Sequence, residues 1–235
     1  MGNKSAWLII AETNLHVGDE GIDNIGVIDQ SIQRDAVTNI PCIHSSSLKG
    51  AVKEYVSEKW NEEHKEKQVS CKEVFGSEKG KDGDVQKGGA VFFDAELLTL
   101  PVQNTDGQYY FKMAYDEKKI EQFVFKATRL GVNIELNMIL NKIRESTNVA
   151  EGQMFNECNF NNLCGPEKLP IIARNRLNNG ESDNLWYEEV LPSKSVLGTF
   201  IDTNDNNLLD ALDGKIIQIG ANATIGYGYC TFVKL

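Results

Sequence analysis

The apolar positions of this chain fall into short runs separated by long polar stretches, a pattern of strands with a few helices. "AWLIIAETNLHVG", Ala6 to Gly18, opens on a run apolar enough for a central strand. A polar stretch rich in Gly, Asp and Asn follows and ends in "GVIDQSIQRD", Gly26 to Asp35. "PCIHSSSLKGAVKEYVSEKW" then predicts a helix. Ser45, Ser46 and Ser47 offer N-caps, and Leu48, Val52, Tyr55, Val56 and Trp60 recur at helical spacing. "NEEHKEKQVS" is a charged connector, and "GGAVFFDAELLTLPV" and "GQYYFKMAY" predict further strands.

Residues 117–168 are the least legible. "RLGVNIELNMILNKIRES" has partial helical periodicity, and "NECNFNNLCGPEK" reads as a polar loop. A hairpin follows, with "LPIIARNRL" and "LWYEEVLP" flanking "NNGESDN", whose Asn-Asn-Gly run supplies turn chemistry. "SVLGTFI" predicts a strand and "NNLLDALDG" a short helix closed by Gly214. "KIIQIG" and "YGYCTFVKL" then flank the Gly-rich "GANATIGYG". Strands and helices in an order that is not strictly βαβα predict an α+β fold, compatible with a ferredoxin-like sheet carrying long insertions.

Composition narrows the class. A length of 235 residues suits one large domain, taken here as residues 1–235, and 41% hydrophobic with 25% charged residues is ordinary for a soluble globular protein. No apolar run approaches the roughly 20 residues of a membrane span. The opening lacks the pattern of a signal peptide, and Ala6 stands where a myristoylation signal has Ser or Thr, so a cytoplasmic protein without a membrane partner is expected. Five cysteines without a CxxC pair, and only His16, His44 and His64 beside them, offer little to a structural zinc and read as free thiols. A net charge of −10 argues by itself against a nucleic-acid partner, but a small groove is governed by its local charge.

Four places carry candidate chemistry, each with a plainer reading beside it. The Ser-rich helix start, with Lys49 and Lys53 at i and i+4, suits a phosphate or simply a capped helix with solvated lysines. The Gly220–Gly228 stretch is a phosphate cradle or a tight turn, and matches no established phosphate-loop motif. Arg174 and Arg176 on one hairpin arm, with Trp186 and Tyr187 on the other, suit single-stranded nucleic acid or a hairpin packed on the core. Asp29 is a turn former, or a carboxylate that holds a metal or takes a proton from a 2′-hydroxyl; His16 is a second acid–base group or a packing residue.

Taken in order, "LHVG", "GVIDQSIQRD", "IPCIHSSSLKGAVKEYV", "LWYEEVLP" and "IQIGANATIGYGYCTF" resemble the backbone subunits of the type III-B CRISPR effector, the Cmr complex, in the Cas-seven class of the RAMP superfamily. The resemblance is strongest over residues 14–56 and 185–232. It implies a modified ferredoxin-like, RRM-related core whose copies stack as a helical filament on a guide RNA beside other Cmr subunits. It further implies metal-dependent cleavage of the paired target RNA, single-stranded before pairing, at regular intervals. Asp29 matches the family's catalytic aspartate and would hold the divalent ion (Mg2+ or Mn2+), with His16, Glu188 and Glu189 assisting. Ser45, Ser46, Ser47, Lys49, Lys53, Arg34, Gly220, Asn222 and Gly226 would contact the guide. A hairpin thumb at about 168–192, bearing Arg174, Arg176, Trp186 and Tyr187, would interrupt the guide–target duplex. Ser31 stands where the family favours Pro, and Ala221 and Ala223 replace Gly and Glu. The middle of the chain is expected to be trimmed, with a reduced insertion. A purely structural backbone, a guide-processing ribonuclease using histidine, and the type III-A equivalent are the competing readings.

Overall fold

Strand β1 (Asn3–Ala11) is buried from Ser5 onward, and its side chains divide between two cores. Trp7, Ile9 and Ala11 join one cluster and Ala6, Leu8 and Ile10 the other, the period-two alternation of a strand covered on both faces. That is why its apolar run is continuous rather than alternating. The computed structural model that shows this describes residues 3–19, 28–63, 71–76, 87–179 and 181–235, and the side chains of all these except 60–63 and 177.

After β1 come β2 (Cys42–Ile43), helix α1 (Ser45–Glu63), helix α2 (Cys71–Phe75) and strands β3 (Val91–Phe92) and β4 (Ala95–Gln103). The insertion then runs through β5 (Phe111–Tyr115), α3 (Glu117–Leu130), α4 (Leu136–Thr147), β6 (Met154–Asn156) and α5 (Phe160–Cys164) to the hairpin β7 (Ile171–Asn178) and β8 (Glu181–Glu189). Strand β9 (Val196–Thr203), helix α6 (Asn206–Leu212), β10 (Ile216–Gln218) and β11 (Tyr229–Lys234) complete the chain.

The main sheet runs β10-β11-β1-β9-β4-β5-β6, with β2 paired to β4 and β3 to β9. Its centre, β11-β1-β9-β4, is antiparallel throughout. With α1 between β1 and β4, and α6 between β9 and β11, this is the βαββαβ ferredoxin-like order. One face carries α1 and α6 through Leu48, Val52, Val56, Leu208, Leu209 and Leu212. The predicted stripe of α1 therefore holds at 48, 52 and 56, and Tyr55 packs beside it; the Trp60 side chain lies outside the described residues, as do His64 and most of the charged connector.

The middle segment, expected to hold a reduced insertion, carries two helices. Helices α3 and α4 cap the second face of the sheet through Ile120, Phe123, Ala127, Ile139 and Ile143. Phe123 stacks on Phe200 of β9 at 4.6 Å, a contact of about 0.5–1.5 kcal/mol beyond area burial. Asp116 caps α3 by accepting from the Lys118 N–H, and Gly131 ends it at a φ of 80°. RRM proteins stack RNA bases on this face of the sheet. Here it is occupied by helix, so no open sheet face is left for stacking. The "NECNFNNLCGPEK" stretch holds a helical turn, α5, because Phe160 and Cys164 insert into the first core.

Two substitutions follow from the packing. Gly198 on β9 faces the second core, where a Cβ would meet Leu98 Cδ1 at 2.7 Å and the Phe123 ring at 2.9 Å. Gly198→Ala should therefore cost about 1–3 kcal/mol in urea unfolding, and a loss under ~0.5 kcal/mol would show that these rings yield freely. The five thiols are free, and burial raises Cys42 to about 12 and Cys164 to about 11, and Cys230 further still. The folded chain keeps these protons where the unfolded chain loses them. Stability should then be fully present below about pH 8.5 and fall as pH rises above it, an effect that Cys42→Ala should lessen in alkaline melts.

Candidate active site

The segment from Ile28 to Arg34 lies along the root of the β7–β8 hairpin, held by its buried isoleucines, Ile28 and Ile32. Between them Asp29 and Gln30 both donate their N–H groups to the Tyr187 carbonyl at 3.1 Å, and the Glu189 N–H donates to the Gln30 carbonyl at 2.9 Å. Asp29 Oδ2 in turn accepts from the Tyr187 N–H at 2.8 Å. The Tyr187 main chain is thus turned wholly toward Asp29. One carboxylate oxygen is fixed by it, while Oδ1 takes no hydrogen bond from the described residues and the residue is exposed. A carboxylate fixed through one oxygen and presented by the other is a preorganised acid–base or cation-binding group.

Behind this loop sits a buried ion pair. Arg34 Nη2 donates to Glu189 Oε1 at 2.5 Å, with the two side chains 8% and 1% exposed. Glu189 Oε2 also accepts from the Ile32 N–H at 3.3 Å, and Arg34 donates to the carbonyls of Asn39 and Cys164. This corrects two expectations together. The Arg34 guanidinium and the Glu189 carboxylate are turned inward to one another, so neither the guide contact nor the cleavage role fits their placement. They hold the loop instead.

Glu188 points to the opposite side of β8, as the alternation of a strand requires. At 2% exposure it accepts from Arg174 Nε on β7 at 3.1 Å, Trp186 Nε1 at 2.8 Å and Asn222 Nδ2 at 2.9 Å. Both of its oxygens are engaged and the side chain is buried, which corrects its expected place at the scissile bond. Asn222, expected at the guide, spends its amide here. The Arg174 guanidinium also lies 4.6 Å over the Tyr227 ring, a contact nothing in the sequence singled out. Arg176, by contrast, is exposed and pairs with Asp183 at 3.7 Å.

His16 is 3% exposed, and its Nδ1 lies 2.7 Å from the Glu189 carbonyl. A carbonyl only accepts, so Nδ1 carries the proton. The His16 carbonyl accepts from the Ala221 N–H at 2.9 Å. Gly220 makes this approach possible, at a φ of 81° and with space for a Cβ only 2.3 Å from that carbonyl oxygen. Gly226 closes the short 3-10 turn Ala223–Ile225. His16 therefore docks the Gly-rich segment against β8, a packing role with its ring buried.

At the start of α1 the Ser45 N–H donates to Asp94 Oδ1 at 2.7 Å. A side-chain carboxylate already occupies that helix end, which removes the Ser45 N–H from the expected phosphate site. Ser47 Oγ accepts from Gln33 Nε2 at 3.0 Å, while Gln33 Oε1 accepts from the His44 N–H at 2.8 Å. Gln33, at 8% exposure, ties the Asp29 segment to the helix start. Ser46 is exposed, and Lys49 and Lys53 lie half-buried one turn on. Among the described residues no three His, Cys, Asp or Glu side chains group as metal ligands. Asp29 offers one free oxygen, which does not make a protein-built cage.

The fold and site together define a ferredoxin-like protein whose projecting hairpin carries an exposed carboxylate at its root. The family model of the RAMP superfamily matches residues 8–231, and the chain belongs to that superfamily. It is 27% identical over 264 aligned residues to the CRISPR system Cmr endoribonuclease Cmr4 of Pyrococcus furiosus, spanning 87% of each. Its fold is that of chains in the type III-B Cmr-beta complex, in the apo state (TM-score 0.75, 19% identity, 99% and 97% of the two chains) and bound to cognate target RNA (0.73, 18%, 99% and 97%). Oligomeric Cmr4 from Pyrococcus furiosus shares it at a TM-score of 0.69 and 19% identity, over 99% and 98% of the two chains.

Removing one member of the buried pair leaves the other charged without a partner. Glu189→Ala should cost roughly 3–5 kcal/mol in denaturant unfolding, whereas Glu189→Ala with Arg34→Met should recover part of it. Equal losses for the single and double variants would remove the pair from its place as the anchor of this loop.

Proposed function

We propose that this chain is the repeated, guide-bound backbone subunit of a type III-B CRISPR effector, and that it cuts guide-paired target RNA with Asp29. The carrying observation is the Asp29 carboxylate, locked by Oδ2 to the Tyr187 N–H and open at Oδ1, at the root of a hairpin that forms a sheet of its own. The similarity to a protein named as a Cmr endoribonuclease supports the activity, and the fold shared with Cmr-beta bound to target RNA supports the partners.

The hairpin serves as the thumb. Its exposed outer half, Glu181–Leu185, enters the guide–target duplex and splays one target nucleotide. A splayed nucleotide can align its 2′-oxygen in line with the next phosphate, so the chain must supply little beyond a well-placed proton acceptor. Asp29 Oδ1 takes the 2′-hydroxyl proton, the 2′-oxygen bonds to phosphorus as the bond from phosphorus to the 5′-oxygen breaks, and that oxygen takes a proton from water, leaving a cyclic phosphate and a 5′-hydroxyl. Asp29 would be this chain's residue for a divalent cation, Mg2+ or Mn2+, which would supply neutralisation of the charge that develops at the phosphate. Lys49 and Lys53, with the exposed Ser46 hydroxyl, face the guide phosphates, and copies of the chain stack along the guide with other Cmr subunits at the ends, in the cytoplasm.

Reconstitution with a guide and a 5′-labelled matching RNA tests the assignment. Asp29→Ala should lower cleavage by about 10²–10⁴-fold and leave guide binding intact. An undiminished fragment ladder would leave the chain a binding scaffold, with the nuclease on another subunit.

A further inference from the structure

Among the described residues the hairpin has no ladder to the main sheet. Strands β7 and β8 pair only with each other, and the one bridge outward, Gln30 to Glu188, belongs to the Asp29 segment at the root. A two-stranded ribbon joined in this way has no fixed tilt of its own. Something else must set the angle at which it projects.

The Glu188 carboxylate does this. Its three donors come from three places: Arg174 on β7, Trp186 on β8, and Asn222 in the Gly-rich segment. Arg174 repeats the connection by lying over Tyr227 of that same segment. The Gly-rich segment is itself fixed to the segment that follows β1 through the Ala221 N–H and the His16 carbonyl. A path of part-buried contacts therefore runs from the segment after β1, through the Gly-rich segment, to both arms of the hairpin. Glu188 is its junction.

Asp29 is held differently. Its contacts to β8 are the main-chain groups of Tyr187 and its own Oδ2, and the Glu188 side chain makes none of them. Loosening the junction should leave Asp29 on the Tyr187 main chain while the arms beyond it, Arg174–Leu185, swing. We propose that Glu188, with Arg174 and Asn222, is a positioning residue that fixes the tilt of the β7–β8 hairpin and so selects which single phosphodiester is presented to Asp29. This rests on the nuclease reading above, in which the hairpin splays the target and Asp29 cuts beside it.

The test maps cut positions at single-nucleotide resolution in the reconstituted complex with a 5′-labelled target. Glu188→Gln keeps the shape and removes the charge. It should spread cleavage from one phosphodiester per repeat onto its neighbours, with total rate falling by up to ~10²-fold as geometry loosens. Arg174→Gln should spread the cuts alike, and the double variant should be no worse than the poorer single, because both break one connection. Cuts that stay on the parental phosphodiester in Glu188→Gln, at whatever rate, overturn the proposal. If that variant yields no fragments, Tyr227→Leu decides, since it removes the ring under Arg174 and keeps the Tyr227 N–H on the Asn222 carbonyl: displaced cuts sustain the proposal and undisplaced cuts overturn it. A parental complex that makes no ladder, or a ladder that survives Asp29→Ala, fails the nuclease reading instead and is recognised before any Glu188 variant is scored.

Discussion

A guanidinium and a carboxylate 2.5 Å apart, both taken out of water, hold this site together. Two charges so buried are stable only as a pair with further hydrogen bonds, and here those bonds are structural. Glu189 reaches the Ile32 main chain and Arg34 reaches the carbonyls at the end of α5. The loop before the first helix, the root of the hairpin and the end of the insertion are thereby tied at one point. The exposed Asp29 carboxylate depends on that tie, because its own contacts to Tyr187 are single hydrogen bonds of modest net worth, about 1 kcal/mol each.

The same fold decides where RNA can lie. In the ferredoxin-like order the sheet has one face free once two helices cover the other, and base-stacking proteins use it. Here α3 and α4 fill that face with an apolar layer, which leaves β1 buried on both sides. The rim, where the Ser-rich helix start, the Asp29 segment, the hairpin and the Gly-rich segment meet, is the surface the proposed function uses. Adjacent carboxylates on β8 then divide the work by strand alternation, Glu189 anchoring the loop on one side and Glu188 the hairpin on the other.

Much of this was legible in the sequence, for reasons that differ by element. Strand β1, helix α1 and the hairpin have strong local patterns, and the motif resemblance pointed to Asp29. Helix α3 was missed although Ile120, Phe123 and Ala127 keep helical spacing, because Phe125 on its outer face is 65% exposed and blurs the stripe. Helix α5 was hidden in a polar stretch whose two buried residues, Phe160 and Cys164, are its only apolar signal besides Leu163. The hairpin turn is tighter than the seven-residue loop expected, since Glu181 to Asn184 extend β8. The roles of the charged side chains were not legible, because a carboxylate reads alike whether it faces substrate or a buried arginine. Glu188, Glu189, Arg34 and Asn222 all turned inward for that reason. Gln33 stood within the motif, and Asp94 and Tyr227 had no local signal at all.

The central claim is that the target strand passes the root of the hairpin with one phosphodiester against Asp29. It is tested most directly by a cryo-EM structure of the reconstituted complex, holding a guide and a target with a single 2′-deoxy substitution at each cut position, so that the uncut strand is retained. The account predicts Asp29 Oδ1 beside the scissile phosphate and the neighbouring base displaced by the hairpin. A target strand that crosses the hairpin elsewhere, with Asp29 turned to solvent or to the guide, would contradict it.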